Sequence, residues 1–385
     1  MTCSDTICAR KSPAKLIVNI HYYEDALLET TRLWECVSLD KLVVSERALN
    51  MEENRDLESL VDFVDLNDLT GMVARVRYWL ENGRARLQRI KANRKYARQL
   101  PNRFEESFYR FLLAFDNITF LQFWKLAGSR MRLPNDKLCL TLPEYTPRLR
   151  SFDQDNRYGF APFTGLRHRE PWVGCGMSYK LMAMLARKQR FQQITICEDD
   201  VEFRPGFERD FRTVLHELAA SKDPWHVFSG LLADLHADAT ISSVREFHGR
   251  KLVRTDRLIS MVFNVYHSSV FGRMILWDEG DRDVATNPID RYLERGKLTV
   301  VTSWPFLVGH KSHLRSTLWN VDNEEMAPMI RRSERLLQQK IVEFVMAHDP
   351  AAAKPPADVV ALSQRKAVIA PAVSNPEAVA AEGGS

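Results

Sequence analysis

The chain lacks the signatures that would assign a chemistry at once. It contains no Walker-type phosphate loop, no GxGxxG and no HExxH. Phosphate cradling by a glycine-rich loop and zincin-type metal chemistry are therefore not indicated. Cysteine is sparse: six in 385 residues (Cys3, Cys8, Cys36, Cys139, Cys175 and Cys197), with no CxxC pair. That excludes a disulfide scaffold or a zinc-finger spacing and leads us to expect a reducing compartment. No long apolar run occurs near the start. The longest, Leu16-Ile-Val-Asn-Ile20, is too short for a signal peptide or a membrane span. A soluble, cytoplasmic chain is expected, or one held at a membrane surface. Neither charge sign dominates: 54 basic and 50 acidic residues leave a net charge of +4. A balance so close to neutral does not point to nucleic acid. No internal repeat is present.

What is present reads as α/β. Residues 1–14 read as a disordered lead. Lys15–Ile20 and Lys41–Ser45 read as buried strands, with a helix over 25–37 between them. Residues 70–128 read as a helical insertion. Within it, Phe104, Phe108, Phe111, Leu112 and Phe115 recur at helical spacing, and core packing is the expected role of that stripe. Residues 129–171, rich in Pro, Arg and polar residues, read as a long loop. A helix follows from Trp172. Ile194–Cys197 is then a short strand, and another helix begins near Phe207. Trp225–Leu232 reads as a buried strand, 250–266 as two strands, and Ser268–Trp277 as a helix. A short helix opens at Asn287-Pro288 with Asn as its cap. Leu298–Thr302 is the last strand, and 325–347 an amphipathic helix. Residues 350–385, rich in Ala and Pro, read as a disordered tail. The folded domain is expected to span 15–349.

The chemistry concentrates after the strand at 194–197. It ends in Glu198-Asp199-Asp200, three adjacent carboxylates that repel one another unless a cation or donors neutralise them. Ligands of open α/β sheets bind outside the carboxyl ends of strands. Hard oxygen ligands there suit Mg²⁺ or Mn²⁺, which also bridge a diphosphate. Asp200 is the expected direct metal ligand, Glu198 reaches a ribose or a metal-bound water, and Asp199 orients the loop. The plainer alternative is a solvated acidic turn or a helix start neutralised by its dipole.

Gly174-Cys175 and Ser178-Tyr179, then Ile196-Cys197-Glu198-Asp199-Asp200-Val201 and Pro205-Gly206-Phe207, resemble glycosyltransferase family 25, the lipopolysaccharide-type and collagen-galactosyltransferase-like group. Asp290–Leu293 is similar to that family's D-x-x-L segment, and Pro305–Ser316 to its closing region. The resemblance covers about 172–320. Tyr179 stands where His is usual, and 50–170 has no counterpart. It implies a GT-A fold with one Rossmann-like central sheet flanked by helices, a nucleotide-sugar donor (a UDP-sugar foremost), Mn²⁺ or Mg²⁺, and an inverting transfer to a hydroxyl of a glycan or glycolipid, as in lipopolysaccharide biosynthesis.

Such a transfer needs a base near the acceptor and positive charge at the departing diphosphate. Asp290 is the base candidate, or else merely a helix cap. His310 is a third metal-ligand candidate, or a surface imidazole. Lys311 and Arg315 are candidates to hold the diphosphate, or a solvated basic loop. Ser178 and Tyr179 are candidates for the donor, and Asn264 and Tyr266 for the acceptor, with packing as the alternative for Tyr266. Arg84–Arg103 carries eight basic residues and no acidic one. That is a solvated helix face, or a peripheral contact with anionic lipid. Two rival functions stand beside the transferase: a metal-dependent nucleotidyltransferase or phosphoesterase, and a non-catalytic protein binding nucleic acid or glycan. No zinc spacing or RNA motif supports nucleic acid as a partner.

Overall fold

The computed structural model describes residues 14–348 except 24, 101 and 102. The lead at 1–13 and the tail from 349 lie outside the described residues. The architecture is mixed α/β, but the strands do not form one sheet. Three parallel strands, β1 (Leu16–Asn19), β2 (Leu42–Glu46) and β3 (Asp62–Val64), form a separate sheet in the order β1-β2-β3. β2 is central and buried along its whole length. Its alternation is the reason for two helical layers. Val43 packs on Leu33, Cys36 and Val37 of α1 (Thr30–Ser38), whereas Val44 packs on Met72 of α2 (Leu69–Glu81). β1 is an edge strand with Val18 exposed, so the expectation that it is buried is corrected. The helix expected from residue 25 starts at Thr30.

The insertion is helical as expected: α2, α3 (Gly83–Ala97), α4 (Arg103–Ala114) and α5 (Phe120–Leu126). The aromatic stripe, however, does not pack in the core. Phe104 is 73% exposed, Phe108 45%, Phe111 55% and Phe115 57%. α4 buries its other side, through Leu113 and the partly buried Tyr109.

The main sheet has eight strands in the order β5-β4-β6-β11-β8-β12-β10-β9. Its first two strands come from the segment read as a loop. β4 (Lys137–Thr141), α6 (Thr146–Asp155) and β5 (Ala161–Thr164) all lie within 129–171. α7 (Pro171–Lys188) then crosses to β6 (Gln193–Glu198), so that β5 and β6 flank β4 in parallel. α6 and α7 cover opposite faces. Phe152 of α6 joins Cys139 and Cys197, while Met177 and Leu181 of α7 join Leu138 and Ile196.

Beyond β6 lie a two-stranded ribbon, β7 (Val201–Phe203) with β13 (Val308–His310), α8 (Phe207–Ala220) and β8 (Val227–Ser229). Next come β9 (Ile241–Phe247), which the sequence reading missed, β10 (Arg250–Thr255), β11 (Phe263–His267) and α9 (Ser268–Ile275). α10 (Ile289–Glu294), β12 (Val300–Trp304) and α11 (Asn323–His348) complete the chain. Asn287 does not cap α10. Its side chain donates to the carbonyls of Asp278 and Asp281, and Pro288 takes the cap position. Among the described residues no helix is long and apolar enough to cross a membrane.

Candidate functional site

The loops leaving β4 and β5 run to opposite faces, through α6 and α7, and a crevice opens between them. A cleft of about 300 Å³ lies there, at the carboxyl ends of three parallel strands. Leu140 and Thr141 end β4, Gly165 to His168 follow β5, and Glu198 to Asp200 end β6; all line it. Ser178 of α7 and Ser316 to Leu318 close its sides. Gly174 explains the tightness of the wall. A Cβ there would sit 2.7 Å from the Leu166 carbonyl oxygen and 3.0 Å from the His168 nitrogen. Ser178 fixes the same wall by accepting from the Leu166 N–H (2.7 Å) while donating to the Gly174 carbonyl (2.7 Å).

The three carboxylates are not equivalent. Arg148, buried on α6, reaches both aspartates. Its Nε lies 2.7 Å from Asp199 Oδ1, and one terminal nitrogen lies 2.5 Å from Asp199 Oδ1 and 2.9 Å from Asp200 Oδ2. Its other terminal nitrogen donates to the Arg315 carbonyl (2.7 Å). Thr141 Oγ1 donates to Asp199 Oδ2 (2.8 Å). Asp200 Oδ2 also takes His310 Nε2 (3.0 Å) and Asn323 Nδ2 (3.1 Å). Burial alone would raise the Asp200 carboxyl, but His310, Arg148 and Asn323 outweigh it and hold the group well below the usual range. Asp199 is raised by burial against the opposing pull of Arg148. The same ion pairs raise Arg148 despite its burial.

Glu198 differs. Its half-buried side chain faces the cleft, and no described residue is seen to hold its carboxyl. Burial, then the negative field of Asp200, push it up to about 8 against the pull of Arg148. One more acceptor of the same three-residue run is unmet: Asp200 Oδ1 is buried and has no hydrogen-bond partner. Asn323 Oδ1 is in the same state. Buried acceptors without partners are rare and call for an explanation such as a bound ion or water.

Arg167, Glu144 and His168 of the lining are paired. Arg167 binds Glu144 through both carboxylate oxygens (2.6 and 2.5 Å), which outweighs burial and lowers that carboxyl. His168 Nδ1 accepts the Glu170 N–H (2.9 Å), and its Nε2 lies 3.0 Å from Asp116 Oδ1. Burial and the fields of Glu198 and Asp290 keep Cys175 a thiol. The cleft thus presents four carboxyl groups against two guanidinium groups.

The other candidates fall elsewhere. Glu198, Asp199, Asp200 and Ser178 line the cleft. His310 stands behind Asp200, brought there by the β7–β13 ribbon, in which His310 pairs with Val201. Lys311 turns away, its Nζ bound to Ser151 and Asp155 of α6. Arg315 uses its guanidinium to close the turn at the Asn320 carbonyl. Tyr179 is fully buried, with its hydroxyl 3.3 Å from the Met261 carbonyl. Asn264 and Tyr266 are also fully buried and hydrogen-bond each other (3.0 Å). Asp290 is half-buried, and its Oδ1 accepts the Arg291 N–H (2.8 Å). It does not line the cleft, although its charge acts on Glu198. Thr141, Arg148 and Asn323 were missed. The short apolar run Leu138-Cys-Leu140 ending in Thr141, and Thr146-Pro147 at a helix start, were the available signals for the first two.

No protein-family model matches the chain, and no curated protein is significantly similar to it.

Proposed function

We propose that the chain is a glycosyltransferase that takes a sugar from a nucleotide sugar, a UDP-sugar foremost, and passes it to a hydroxyl of a glycan or glycolipid with help from Mn²⁺ or Mg²⁺. The reading adds a GT-A arrangement to the observed α/β sheet. The observation that carries it is that the unheld Glu198 carboxyl and Asp200, whose Oδ1 is orphaned, line one cleft at strand carboxyl ends. A cleft with more carboxylate than cation repels a bare diphosphate, and a divalent cation reverses that.

The residues fit such an ion in part. No group of three or more His, Cys, Asp or Glu side chains is poised to hold one alone among the described residues. Mg²⁺ and Mn²⁺ commonly take one or two carboxylates and complete their shell with water and substrate phosphates. Glu198 and Asp200 would be those two. Bound there, the ion would stabilise charge on the departing diphosphate. Arg148 and Thr141 keep Asp199 and Asp200 in place whether or not a ligand is present. Ser178 and Gly174 hold the wall that faces the donor. Burial and the field of Asp200 favour the protonated form of Glu198, so a cation held there would have to release that proton. The reading gives Asp290 no proton-transfer step, because it lies outside the lining.

A panel of sugar nucleotides incubated with Mn²⁺ or with EDTA tests this. Cation-dependent release of nucleoside diphosphate from one donor is expected. Release of pyrophosphate would point to nucleotidyl transfer instead, and no turnover or thermal shift with any donor would reject the reading.

A further inference from the structure

α4 has two apolar sides and only one core to bury. Tyr109, Arg110 and Leu113 face inward. Phe104, Phe108, Phe111 and Phe115 recur at i, i+4, i+7 and i+11 and form one outward stripe. The rings lie along one another: Phe104 stacks on Phe108 at 6.0 Å, and Phe111 meets Phe115 at 5.0 Å. Leu121 and Leu126 of the adjoining α5 are also exposed. An apolar surface of this extent marks a contact site rather than ordinary scatter.

The preceding helix supplies the charge. On α3 and its C-cap, Arg84, Lys91, Lys95 and Arg98 fall at i, i+7, i+11 and i+14, one exposed face with Leu87 among them. The other basic residues of α3 are engaged, Arg86 with Trp79, Arg89 with Ser59 and Arg94 with Asp40. Those four meet no carboxylate among the described residues. Exposed bulky apolar side chains on one helix and exposed, unneutralised cations on the helix before it are the two features a bilayer interface with anionic headgroups recognises.

We propose that α3 and α4 dock the protein on an anionic lipid surface, with Phe108, Phe111 and Phe115 entering the headgroup–acyl boundary and the α3 cations meeting lipid phosphates. The inner side of α4 is fastened to the cleft wall. Arg110 donates to the Thr164 carbonyl (3.3 Å), Asp116 accepts from His168 (3.0 Å), and the Arg169 N–H donates to the Ala114 carbonyl (3.4 Å). A helix is only about 10 Å across. The membrane-facing stripe is therefore separated from the β5 end of the cleft by little more than α4 itself. An acceptor anchored in the same lipid leaflet suits that placement. This last step rests on the glycosyltransferase reading, whereas the docking does not.

Flotation of the full chain with phosphatidylcholine vesicles, with and without phosphatidylglycerol, tests the docking without turnover. The wild type is expected to float with the anionic vesicles only. Phe108→Ser/Phe111→Ser/Phe115→Ser and Arg84→Gln/Lys91→Gln/Lys95→Gln/Arg98→Gln are each expected to weaken partition by about tenfold or more. All seven positions are exposed, so both variants should keep the wild-type circular dichroism and melting temperature. Binding unchanged in either variant overturns the proposal. So does a wild-type dimer in solution that the Phe variant converts to monomer, because the stripe would then be covered by a second copy.

Discussion

Arg148 performs within the chain part of the neutralising task for which the sequence reading looked to a cation or to donors. Its guanidinium spans Asp199 and Asp200 and ties α6 to the segment around Arg315. Removing one partner of a buried ion pair leaves uncompensated charge and costs about 3–5 kcal/mol. Arg148→Met should lose stability on that scale, seen as a lower urea midpoint with an unchanged slope. Glu198 acts in the opposite sense. Its folded pKa, about 8, lies above the ordinary carboxylate value, so the folded state holds a proton that the unfolded chain releases. Without a cation, its contribution to stability therefore falls as pH rises from the ordinary range through about 8. Glu198→Gln cannot lose that proton and should flatten the decline, gaining about 1–3 kcal/mol near pH 8.5 relative to pH 5. Urea unfolding at the two pH values checks it. An equal decline in the variant would place the shift elsewhere. Asp200 runs the other way: its lowered pKa gives stability present above the ordinary carboxylate range and lost as the pH falls toward the folded value.

At the scale of elements, two helices with similar aromatic content do different work. Phe120 and Phe123 of α5 are buried in the main core, whereas Phe111 of α4 is exposed. Phe123→Ala should cost about 3–5 kcal/mol, and Phe111→Ser should fall within about 0.5 kcal/mol of the wild type. Chemical denaturation of the two variants separates them. Helical periodicity showed that α4 is amphipathic, but periodicity does not say what covers the apolar side. β6 was legible because an apolar run ends abruptly in three carboxylates. β4 was not, because its five residues sit among Arg, Pro and polar positions that read as loop, and the pairing that buries it comes from β5 and β6, which are distant in sequence. Arg148 was hidden for the same reason: with β4 and α6 unread, nothing placed residue 148 beside residues 199 and 200. Tyr179, Asn264 and Tyr266 were drawn to the site by type and by resemblance. The burial that holds them in the core is a property of tertiary packing.

For the molecule as a whole, the α/β class was legible, but the count of sheets was not. β1 and β2 share the strand–helix–strand pattern of a sheet opening, and only their pairing shows that they form a small sheet of their own with β3. The cleft belongs instead to β4, β5 and β6, with α4 hydrogen-bonded to the segment that ends β5 and the β7–β13 ribbon behind Asp200. Its floor combines two aspartates locked by arginine with one carboxyl that is not. The account stands on Glu198 and Asp200 Oδ1 together receiving a divalent cation that brings a diphosphate with it. Electron paramagnetic resonance of free Mn²⁺, titrated with wild type and with Glu198→Gln in the presence and absence of UDP, tests that most directly. The account predicts Mn²⁺ uptake by the wild type that is strengthened by UDP and lost in the variant. Uptake of the same size by Glu198→Gln, or none by the wild type with UDP present, would contradict it.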